Sequence, residues 1–370
     1  MNTHPAIALN GRFTGTLKPT GTQTAAFHLF DAIVRVPRAV RLLIFADPKF
    51  PGVEDWAAMP QTEIIPVPFQ SWNRWKAQLW EQFVFPLKCR KAGVRVAHHP
   101  ITTCPRWKWG MRNLVTVHDI NFFMHPEWFS RSFRAFYKLF SIPGIRKAEA
   151  IGVISHYVKQ TLVDHLKLPP ERITVIYNGV KSLPSTAPHG QVPPYILCVG
   201  SLQPHKNLIR TIEAFLTLRH EFPQLELRIV GRPQANFQMQ PQLAKLLQSP
   251  GVHLLGYLSE ADLAEAYQQA QVFCFPSLEE GFGLPVLEAM MAETRVVTSN
   301  VSCLPEIAGP AAILVNPHSE KEIAAALREV LTESPERRKE QLVAAKKWAE
   351  QFSWERAAAE YVELYHKLAS

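Results

Sequence analysis

Apolar runs of four to six residues alternate with longer amphipathic stretches through the second half of the chain. The runs are typical of buried strands, and the stretches repeat apolar residues at helical spacing, as at positions 208, 209, 212, 215 and 216. The predicted strands are Tyr195–Val199, Leu225–Val230, Val252–Leu255, Val272–Phe275 and Arg295–Thr298, and the predicted helices are Asn207–His220, Glu260–Ala270, Pro285–Ala292 and Glu320–Leu331. This alternation predicts a parallel sheet covered by helices on both faces.

The first half repeats the alternation less regularly. Its predicted strands are Ala6–Leu9, Arg41–Phe45, Val94–His98, Leu114–Val117, Ala150–Ile154 and Ile173–Ile176, with helices near Thr24–Val34, Trp72–Ala92 and His156–Leu166. The fold class is therefore α/β, with two Rossmann-like doubly wound domains in tandem. Ligands bind beyond the carboxyl ends of the strands in such sheets, so the residues that follow each strand are the candidates for chemistry.

A proline-rich stretch separates the two halves. Residues 180–194 carry four prolines and no hydrophobic periodicity, which predicts a linker. The predicted domains are residues 1–180 and 195–351, joined by a linker at 181–194. A length of 370 residues also favours two domains over one.

Composition and cysteine usage exclude several classes of protein. With 47% hydrophobic and 19% charged residues, the chain is of ordinary globular composition. It has no apolar stretch of spanning length, and no basic segment followed by an apolar one at the N-terminus, so we expect a cytoplasmic protein. The five cysteines are odd in number, widely spaced and without a CxxC pair, which favours buried thiols over disulfides or zinc.

The formal charge of +8 is unevenly distributed. Residues 1–190 carry 24 Lys and Arg against 11 Asp and Glu, whereas residues 191–370 carry 16 against 21. The first half is therefore at +13 and the second at −5. The basic half points to an anionic partner, which is nucleic acid, a phosphate-bearing substrate or a lipid surface.

The strongest candidate site is the segment 273–288, a strand followed by a glycine-bearing loop and a helix that begins near Pro285. Gly281 and Gly283 allow close approach of a ligand to the backbone, and free N–H groups at the helix start bind hydroxyl or phosphate oxygens. Glu280 and Glu288 flank this loop; they either bind sugar hydroxyls and stabilise positive charge at an anomeric carbon, or serve as a loop cap and a helix-dipole partner.

Three further loops follow predicted strands. Lys206 lies before a helix start, as a diphosphate ligand or as a solvated lysine. His118 and Asp119 end a strand, either orienting a sugar and moving a proton or forming a buried pair. The loop at 15–23, with Gly21 and Thr22, is a weak candidate for a phosphate or sugar contact, and its spacing matches neither a dinucleotide-binding nor a Walker loop.

The sequence contains none of the common metal-binding motifs that we considered. The six aspartates are never two positions apart, so there is no Asp-x-Asp pair, and the 14 histidines include no His-Glu-x-x-His. His98 and His99 are a weak metal pair that we interpret as strand-end residues. We therefore expect no metal and no cofactor.

Aromatic and basic residues are mixed in three segments of the basic half. They are residues 72–92, 106–112 and 131–138. This mixture suits an interface with anionic lipid, whereas the alternative for 72–92 is an amphipathic core helix with a solvated rim. No nucleic-acid-binding module accompanies them, so nucleic acid is not expected as a partner.

The motifs together resemble the retaining glycosyltransferases of family 4, of the two-Rossmann GT-B type. The resemblance covers nearly the whole chain. It rests on Glu280-Gly-Phe-Gly-Leu-Pro-Val-Leu-Glu288, on residues 199–207 and on Val117-His-Asp-Ile120, with weaker matches at 153–156, 176–180, 256–259 and 302–309. It implies two domains facing across a cleft, with the last helix, Trp354–Leu368, crossing back so that residues 352–370 complete the first domain.

The resemblance also implies a role for each matching residue. Glu280 would contact the donor sugar and, with His118, lie at the reaction centre. Lys206, Gly200 and Ser201 would bind the donor diphosphate. The sugar and ribose would lie against Gly281, Phe282, Gly283, Leu284 and Glu288, and the nucleobase against Gly256, Tyr257 and Leu258.

One departure from the family pattern concerns the diphosphate. Many members carry an arginine where this chain has Ser201 or His205, so the site has fewer fixed cations. Arg232, or a protonated His205, is a candidate replacement.

The expected activity is hexosyl transfer with retention from a nucleotide-diphosphate sugar to a lipid-linked or oligosaccharide acceptor in polysaccharide or lipopolysaccharide biosynthesis. GDP-mannose is the first guess for the donor. The basic first domain would dock on anionic lipid of the inner membrane face. The alternatives are a nucleotide-sugar epimerase or phosphorylase on the same fold, and a non-catalytic sugar-binding protein.

Overall fold

Two α/β units make up the chain in the computed structural model, which describes residues 4–16, 20–107, 109–184, 192–232 and 240–370. The first unit comprises Met1–Gly179 and Ser353–Ser370, and the second comprises Val180–Phe352. Of the predicted linker, residues 185–191 lie outside the described residues, and the others are irregular.

The first unit contains a parallel sheet of seven strands within its described residues. Their bounds are β1 Ala6–Asn10, β2 Arg41–Ala46, β3 Thr62–Pro66, β4 Val94–His99, β5 Arg112–Val117, β6 Ala150–Val153 and β7 Ile173–Val175, in the spatial order β3-β2-β1-β4-β5-β6-β7. Strand β3 was not predicted, because it is a half-exposed edge strand that ends in a proline and lacks the buried apolar run of the others.

The helices of the first unit depart from the prediction over residues 72–92 and in three helices that were not predicted. They are α1 Gly21–Arg35, α2 Val53–Ala57, α3 Arg74–Leu79, α4 Phe85–Lys91, α5 Asn121–Met124, α6 Arg131–Lys147 and α7 His156–Leu166. The single helix predicted over 72–92 is two α-helices joined by a π-helical turn, Trp80–Val84. The short helices α2 and α5 were not predicted. Helix α6 was not predicted either, because its aromatics and Pro143 obscure the helical period.

The second unit follows the predicted alternation closely. Its described strands are β8 Tyr195–Val199, β9 Glu226–Val230, β10 Val252–Gly256, β11 Val272–Phe275, β12 Val296–Ser299 and β13 Ile313–Val315, all parallel in the order β10-β9-β8-β11-β12-β13. The helices are α8 Leu208–Leu218, α9 Pro241–Leu246, α10 Glu260–Gln268, α11 Leu284–Met291, α12 Leu304–Ala308, α13 Glu320–Thr332 and α14 Pro335–Ala349. The predicted class of two doubly wound, Rossmann-like units is confirmed.

The structure agrees with the sequence predictions for the cysteines and for membrane-spanning segments. All five cysteines are buried free thiols, and burial raises the pKa of Cys89 and of Cys104. Across the described ranges, every helix falls short of the length and apolarity that a bilayer crossing requires.

The last helix, α15 Trp354–Ala369, belongs to the first unit, where it packs along α1. Its Tyr365 hydroxyl lies 2.6 Å from Nδ1 of His98, and the Tyr361 hydroxyl lies 2.7 Å from Oγ1 of Thr116. Nε2 of His98 lies 2.8 Å from the same Thr116 hydroxyl. Because these groups are fully buried, their hydrogen bonds fix the helix on the sheet as well as its apolar packing does.

Replacement of Tyr365 by Phe should lower the free energy of unfolding by about 1–3 kcal/mol, because Nδ1 of His98 is left buried without its partner. Denaturant unfolding of Tyr365→Phe measures this, with Tyr257→Phe, at a 73% exposed position, as the matched control. Equal losses in the two variants would contradict the structural role of the hydroxyl.

Candidate functional site

Each of the two sheets has one point at which the strand order reverses, so that the connections from two neighbouring strands lead to opposite sides of the sheet. In the second unit this point lies between β8 and β11, because β8 continues to β9 on one side and β11 to β12 on the other. The carboxyl ends of two such strands leave a crevice in which ligands bind in open α/β sheets. Lys206 follows β8 and Glu280 follows β11, so both predicted residues lie at this point.

Lys206 and Glu280 form an ion pair. Nζ of Lys206 lies 2.5 Å from Oε1 of Glu280, with side-chain exposures of 16% and 13%. The ammonium group also lies 4.8 Å from the centre of the Phe275 ring. The pair is shielded from solvent, so its attraction is stronger than that of a surface pair.

Asn207 fixes the relative positions of the loops that carry this pair. It takes a left-handed conformation, φ 58°, and its side-chain amide donates to the carbonyls of Pro276, at 2.9 Å, and Pro317, at 2.7 Å. The backbone N–H of Leu278 donates to the carbonyl of His205 at 2.7 Å. Sequence reasoning gave Asn207 no role, although an asparagine next to a candidate lysine and a helix start is a signal for a loop-fixing cap.

The predicted glycine loop leads directly into α11. Gly283 precedes the helix with φ 94°, and a Cβ there would lie 2.8 Å from Cδ2 of Leu304. The left-handed conformation therefore favours glycine at this position. Phe282 is buried, with its ring centre 6.0 Å from that of Phe352, so only its backbone is offered to a ligand. Gly281 and Leu284 flank this turn.

Glu288 lies one turn into α11 and is partly buried. Burial raises the pKa of this carboxyl, and the hydroxyl of Tyr267 donates to its Oε2 at 2.9 Å, which opposes that rise. Tyr267 comes from α10 and was not predicted as a site residue, since a tyrosine inside a helical apolar pattern is typical of a core position.

The predicted nucleobase segment forms the outer rim of this edge. Gly256 is left-handed, φ 73°, and its carbonyl accepts from the N–H of Gly231 at 2.8 Å. Tyr257 is 73% exposed and Leu258 is half-buried. The guanidinium of Arg232 lies 5.1 Å from the centre of the Tyr257 ring.

The loop after β8 is closely packed against its neighbours. A Cβ on Gly231 would overlap the carbonyl oxygen of Gly200, and a Cβ on Gly200 would lie 3.5 Å from the Lys206 stem. Ser201 continues this loop and is half-buried. The residues predicted for the diphosphate are thus gathered at one edge, with Arg232 towards the rim.

In the first unit, His118 directly follows β5 and is 6% exposed. Its Nε2 lies 2.8 Å from the carbonyl oxygen of Pro100. Burial lowers the pKa of His118 to about 4, although the Pro100 contact opposes that shift. Oδ1 of Asp119 accepts from the N–H of Asn121 at 2.9 Å. The Pro100 carbonyl therefore holds a neutral imidazole by its Nε2–H.

A buried polar network holds the loop that orients His118. Arg12 donates from Nη2 to the Thr103 hydroxyl at 2.6 Å and pairs with Glu81 at 3.1 Å. Nε2 of Gln82 donates to the carbonyl of Cys104 at 3.1 Å. The residues between His99 and Cys104 include Pro100, so this network positions the carbonyl that holds His118.

Glu81 is the buried anion of this network and lies in the π-helical turn. Although burial opposes its ionisation, Arg12 and its hydrogen bonds lower the pKa of the Glu81 carboxyl. Asn10 Nδ2 also donates to Oε1 of Glu81, at 2.7 Å. The network lies at the carboxyl ends of β1 and β4, the neighbouring strands between which the strand order of the first sheet reverses. The sequence did not reveal it, because its bonds join distant positions, with Asn10 71 positions from Glu81 and Arg12 91 positions from Thr103.

Two weak predictions have different outcomes. Gly21 and Thr22 open helix α1 and do not lie in a loop, because Thr20 precedes the helix and its N–H donates to Oε1 of Gln23 at 2.9 Å. The loop prediction for these two residues is wrong, and residues 17–19 of that loop lie outside the described residues. His98 and His99 end β4, fully buried and hydrogen-bonded to side chains, in agreement with strand-end roles.

Two family models match the chain in tandem. The model described as Glycosyltransferase Family 4 matches residues 19–182, and that of Glycosyl transferases group 1 matches residues 185–348. The chain belongs to glycosyltransferase family 4, of the GT-B type.

Curated relatives include bacterial mannosyltransferases. The O-antigen chain mannosyltransferase RfbU of Salmonella typhimurium is 28% identical over 240 residues, 64% of each chain. The MMP alpha-(1->4)-mannosyltransferase of Mycolicibacterium hassiacum is 33% identical over 223 residues, 59% of this chain and 54% of the relative. The aligned region thus spans less than two thirds of either relative.

Solved structures share the whole fold. The sucrose-phosphate synthase of Thermosynechococcus elongatus superposes with a TM-score of 0.77 at 20% identity, covering 99% of both chains. The Anabaena protein HepE, in complex with UDP and glucose, has a TM-score of 0.71 at 18% identity, covering 98% of this chain and 99% of HepE. At these identities the likeness shows the fold alone.

The lowered pKa of His118 predicts a loss of stability in mild acid. An unfolded histidine, with a pKa near 6.5, takes up its proton before the folded one does, so stability falls as pH drops from about 6.5 towards 4. Between pH 7 and pH 5, the wild type should lose about 2 kcal/mol more than His118→Gln. Denaturant unfolding at the two pH values measures this, and parallel losses would contradict a buried neutral imidazole.

Proposed function

We propose that this protein transfers mannose from GDP-mannose, with retention of configuration, to a hydroxyl of a lipid-linked or oligosaccharide acceptor in polysaccharide or lipopolysaccharide assembly. The observation that carries the proposal is the shielded pair of Lys206 and Glu280 at the point where the second sheet turns to both sides. Membership of glycosyltransferase family 4 supports glycosyl transfer.

The ion pair supplies both polar functions that the donor requires. In the free protein the two charges neutralise each other at 2.5 Å. A donor diphosphate, which is doubly negative, would draw the Lys206 ammonium to its oxygens. Glu280 would then accept hydrogen bonds from sugar hydroxyls and stabilise positive charge that develops at the anomeric carbon. Donor binding therefore exchanges an internal ion pair for two contacts with the substrate.

Departure of the diphosphate requires positive charge at the same edge. Lys206 and the backbone N–H groups at the start of α11 supply it, and Arg232 lies towards the rim above Tyr257. We propose that these groups replace the metal ion that other transferases use, so that transfer needs no metal and no cofactor.

His118 would take part as a neutral group. Its Nε2–H is held by Pro100, so Nδ1 is the ring atom left to accept a hydrogen bond from a hydroxyl of the transferred sugar. A pKa of about 4 keeps it uncharged at neutral pH. Transfer should therefore show no protonation step of His118 between pH 6 and pH 8.

Mannose as the sugar is supported by the names of the relatives. RfbU of Salmonella typhimurium and O-antigen chain mannosyltransferase B of Escherichia coli are mannosyltransferases, and the latter is 28% identical over 276 residues, 70% of this chain. Their O-antigen products also support a polysaccharide or lipid-linked acceptor for this chain.

We also propose that the first unit contacts an anionic membrane surface, where a lipid-linked acceptor is available. The excess of basic residues in the first half of the chain, 24 against 11, supports this contact.

Replacement of Glu280 by Gln should separate binding from transfer. The variant releases Lys206 from its partner and removes a negative charge near the diphosphate, so GDP should bind about threefold to tenfold more tightly. Transfer should fall by about 100-fold or more, because the neutral amide does not stabilise the developing positive charge. Calorimetry with GDP and a transfer assay measure the two effects.

A matched control is Glu293→Gln, which breaks an exposed Lys346–Glu293 pair of 2.7 Å in the same unit. It should change neither GDP affinity nor transfer. Unchanged transfer by Glu280→Gln would contradict the site assignment.

The donor and the metal requirement are tested together. Thermal shifts with GDP-mannose, UDP-glucose and their nucleotides should show selective stabilisation by GDP and GDP-mannose. Mannosyl transfer should continue in excess EDTA, and the product should retain the anomeric configuration of the donor by NMR. Stabilisation by UDP-glucose alone would contradict GDP-mannose as the donor. Loss of transfer in EDTA would contradict metal independence.

A further inference from the structure

The helical segment 74–91, formed by α3, the π-helical turn and α4, exposes large apolar side chains although it also packs on the core. Its inner face holds the apolar residues Trp80, Phe85 and Cys89 together with the polar residues Gln78, Glu81 and Gln82, all buried. Its outer face exposes Trp75 at 48%, Leu79 at 53%, Phe83 at 41% and Leu87 at 45%. The core packing of Trp80, Phe85 and Cys89 agrees with the interpretation of residues 72–92 as an amphipathic core helix, and the exposed apolar side chains are an addition to its solvated basic rim.

The four exposed residues form one continuous line, which we call the apolar stripe. They are spaced by four positions, and side chains at that spacing are neighbours on a helix. Four residues of α-helix overshoot a full turn by about 40°, so a long run would drift around the helix. The wider π-helical turn at Trp80–Val84 opposes this drift in the middle of the segment. The stripe thus stays on one side.

Neighbouring elements widen the stripe into a surface. The ring of Trp107, 42% exposed, lies 5.1 Å from that of Phe83. The ring of Trp75 lies 5.2 Å from that of Phe136 on α6, and Leu139 of the same helix is 50% exposed. A contiguous apolar patch of this kind marks an interaction site.

The charge around the stripe selects the kind of partner. The segments 72–92, 100–112 and 129–147 carry 13 Lys and Arg residues and one acidic residue, the buried Glu81. Exposed cations such as Lys76, Lys88 and Lys91 accompany the stripe. A second copy of the chain would bring the same positive charge against this one, which costs free energy. A negatively charged partner that accepts apolar side chains satisfies both features.

We propose that the apolar stripe inserts into the interfacial layer of an anionic membrane, with the surrounding Lys and Arg side chains against the lipid phosphates. Exposed tryptophans suit this layer, because their rings are apolar and their N–H groups remain in contact with water and headgroups. The inference rests on the membrane contact proposed above and assigns it to one segment. The segment lies in the interface plane as a one-sided amphipathic helix does.

The experiment compares variants of the full chain in a sedimentation assay. Vesicles of phosphatidylcholine with phosphatidylglycerol are compared with vesicles of phosphatidylcholine alone. The wild type should bind the anionic vesicles at least about tenfold more tightly. The double variant Leu79→Gln, Phe83→Gln should weaken binding to the anionic vesicles by about tenfold or more, since two apolar side chains no longer leave water.

Two further variants separate the contributions. Lys88→Gln with Lys91→Gln should weaken binding to anionic vesicles about tenfold and reduce its salt sensitivity. Val343→Gln, at a position 61% exposed on α14 in the other unit, is the matched control and should bind as the wild type does. Thermal unfolding checks the fold, because the stripe residues are exposed and their replacement should not shift the melting temperature.

Several outcomes overturn the inference. One is absence of wild-type binding to anionic vesicles, and another is undiminished binding by the Leu79→Gln, Phe83→Gln variant. A third is a wild-type dimer by light scattering that this variant dissociates, which would assign the stripe to a second copy. Transfer to a water-soluble acceptor is assayed without lipid, so failure of the membrane inference leaves the proposed transferase activity separately testable.

Discussion

The main structural constraint on this molecule is that all strands of each parallel sheet have their carboxyl ends at the same edge. Each sheet has one place where successive connections part to opposite sides, between β1 and β4 in the first unit and between β8 and β11 in the second. The backbone at these places is not covered by a crossing connection, and polar side chains on the following loops converge there. Arg12 and Glu81 gather at the first place, and Lys206 and Glu280 at the second. Each place has an ion pair because each concentrates polar groups in partial shelter from water.

The sequence was sufficient where local pattern determines structure. Strands such as Tyr195–Val199 and Val272–Phe275 are predicted to the residue, because short apolar runs between turn signals have few alternatives. The residues after them, Lys206 and Glu280, were identified because a strand end is a fixed point along the chain. Their direct pairing across 74 positions could not be read from spacing, since it depends on how two loops are held by Asn207.

Prediction failed where tertiary contacts override the local pattern. Residues 72–92 have the composition of an amphipathic helix, and composition does not say which face turns inward. Glu81 faces inward because its carboxylate pairs with Arg12 and contacts the side chains of Asn10 and His99. Tyr267 was likewise assigned by its helical period to the core, and only its 2.9 Å bond to Glu288 connects it with the site. Partners distant in sequence decided both cases.

The helical segment 74–91 limits the states that the first unit can adopt. Turning the segment about its axis to bury Leu79 and Phe83 would expose Trp80 and Phe85, and it would leave Arg12 beside Thr103 without its partner Glu81. Leaving one member of a buried ion pair without the other costs about 3–5 kcal/mol, comparable with what hiding two apolar side chains would gain. The apolar stripe is therefore exposed in the resting fold and needs no conformational trigger to appear.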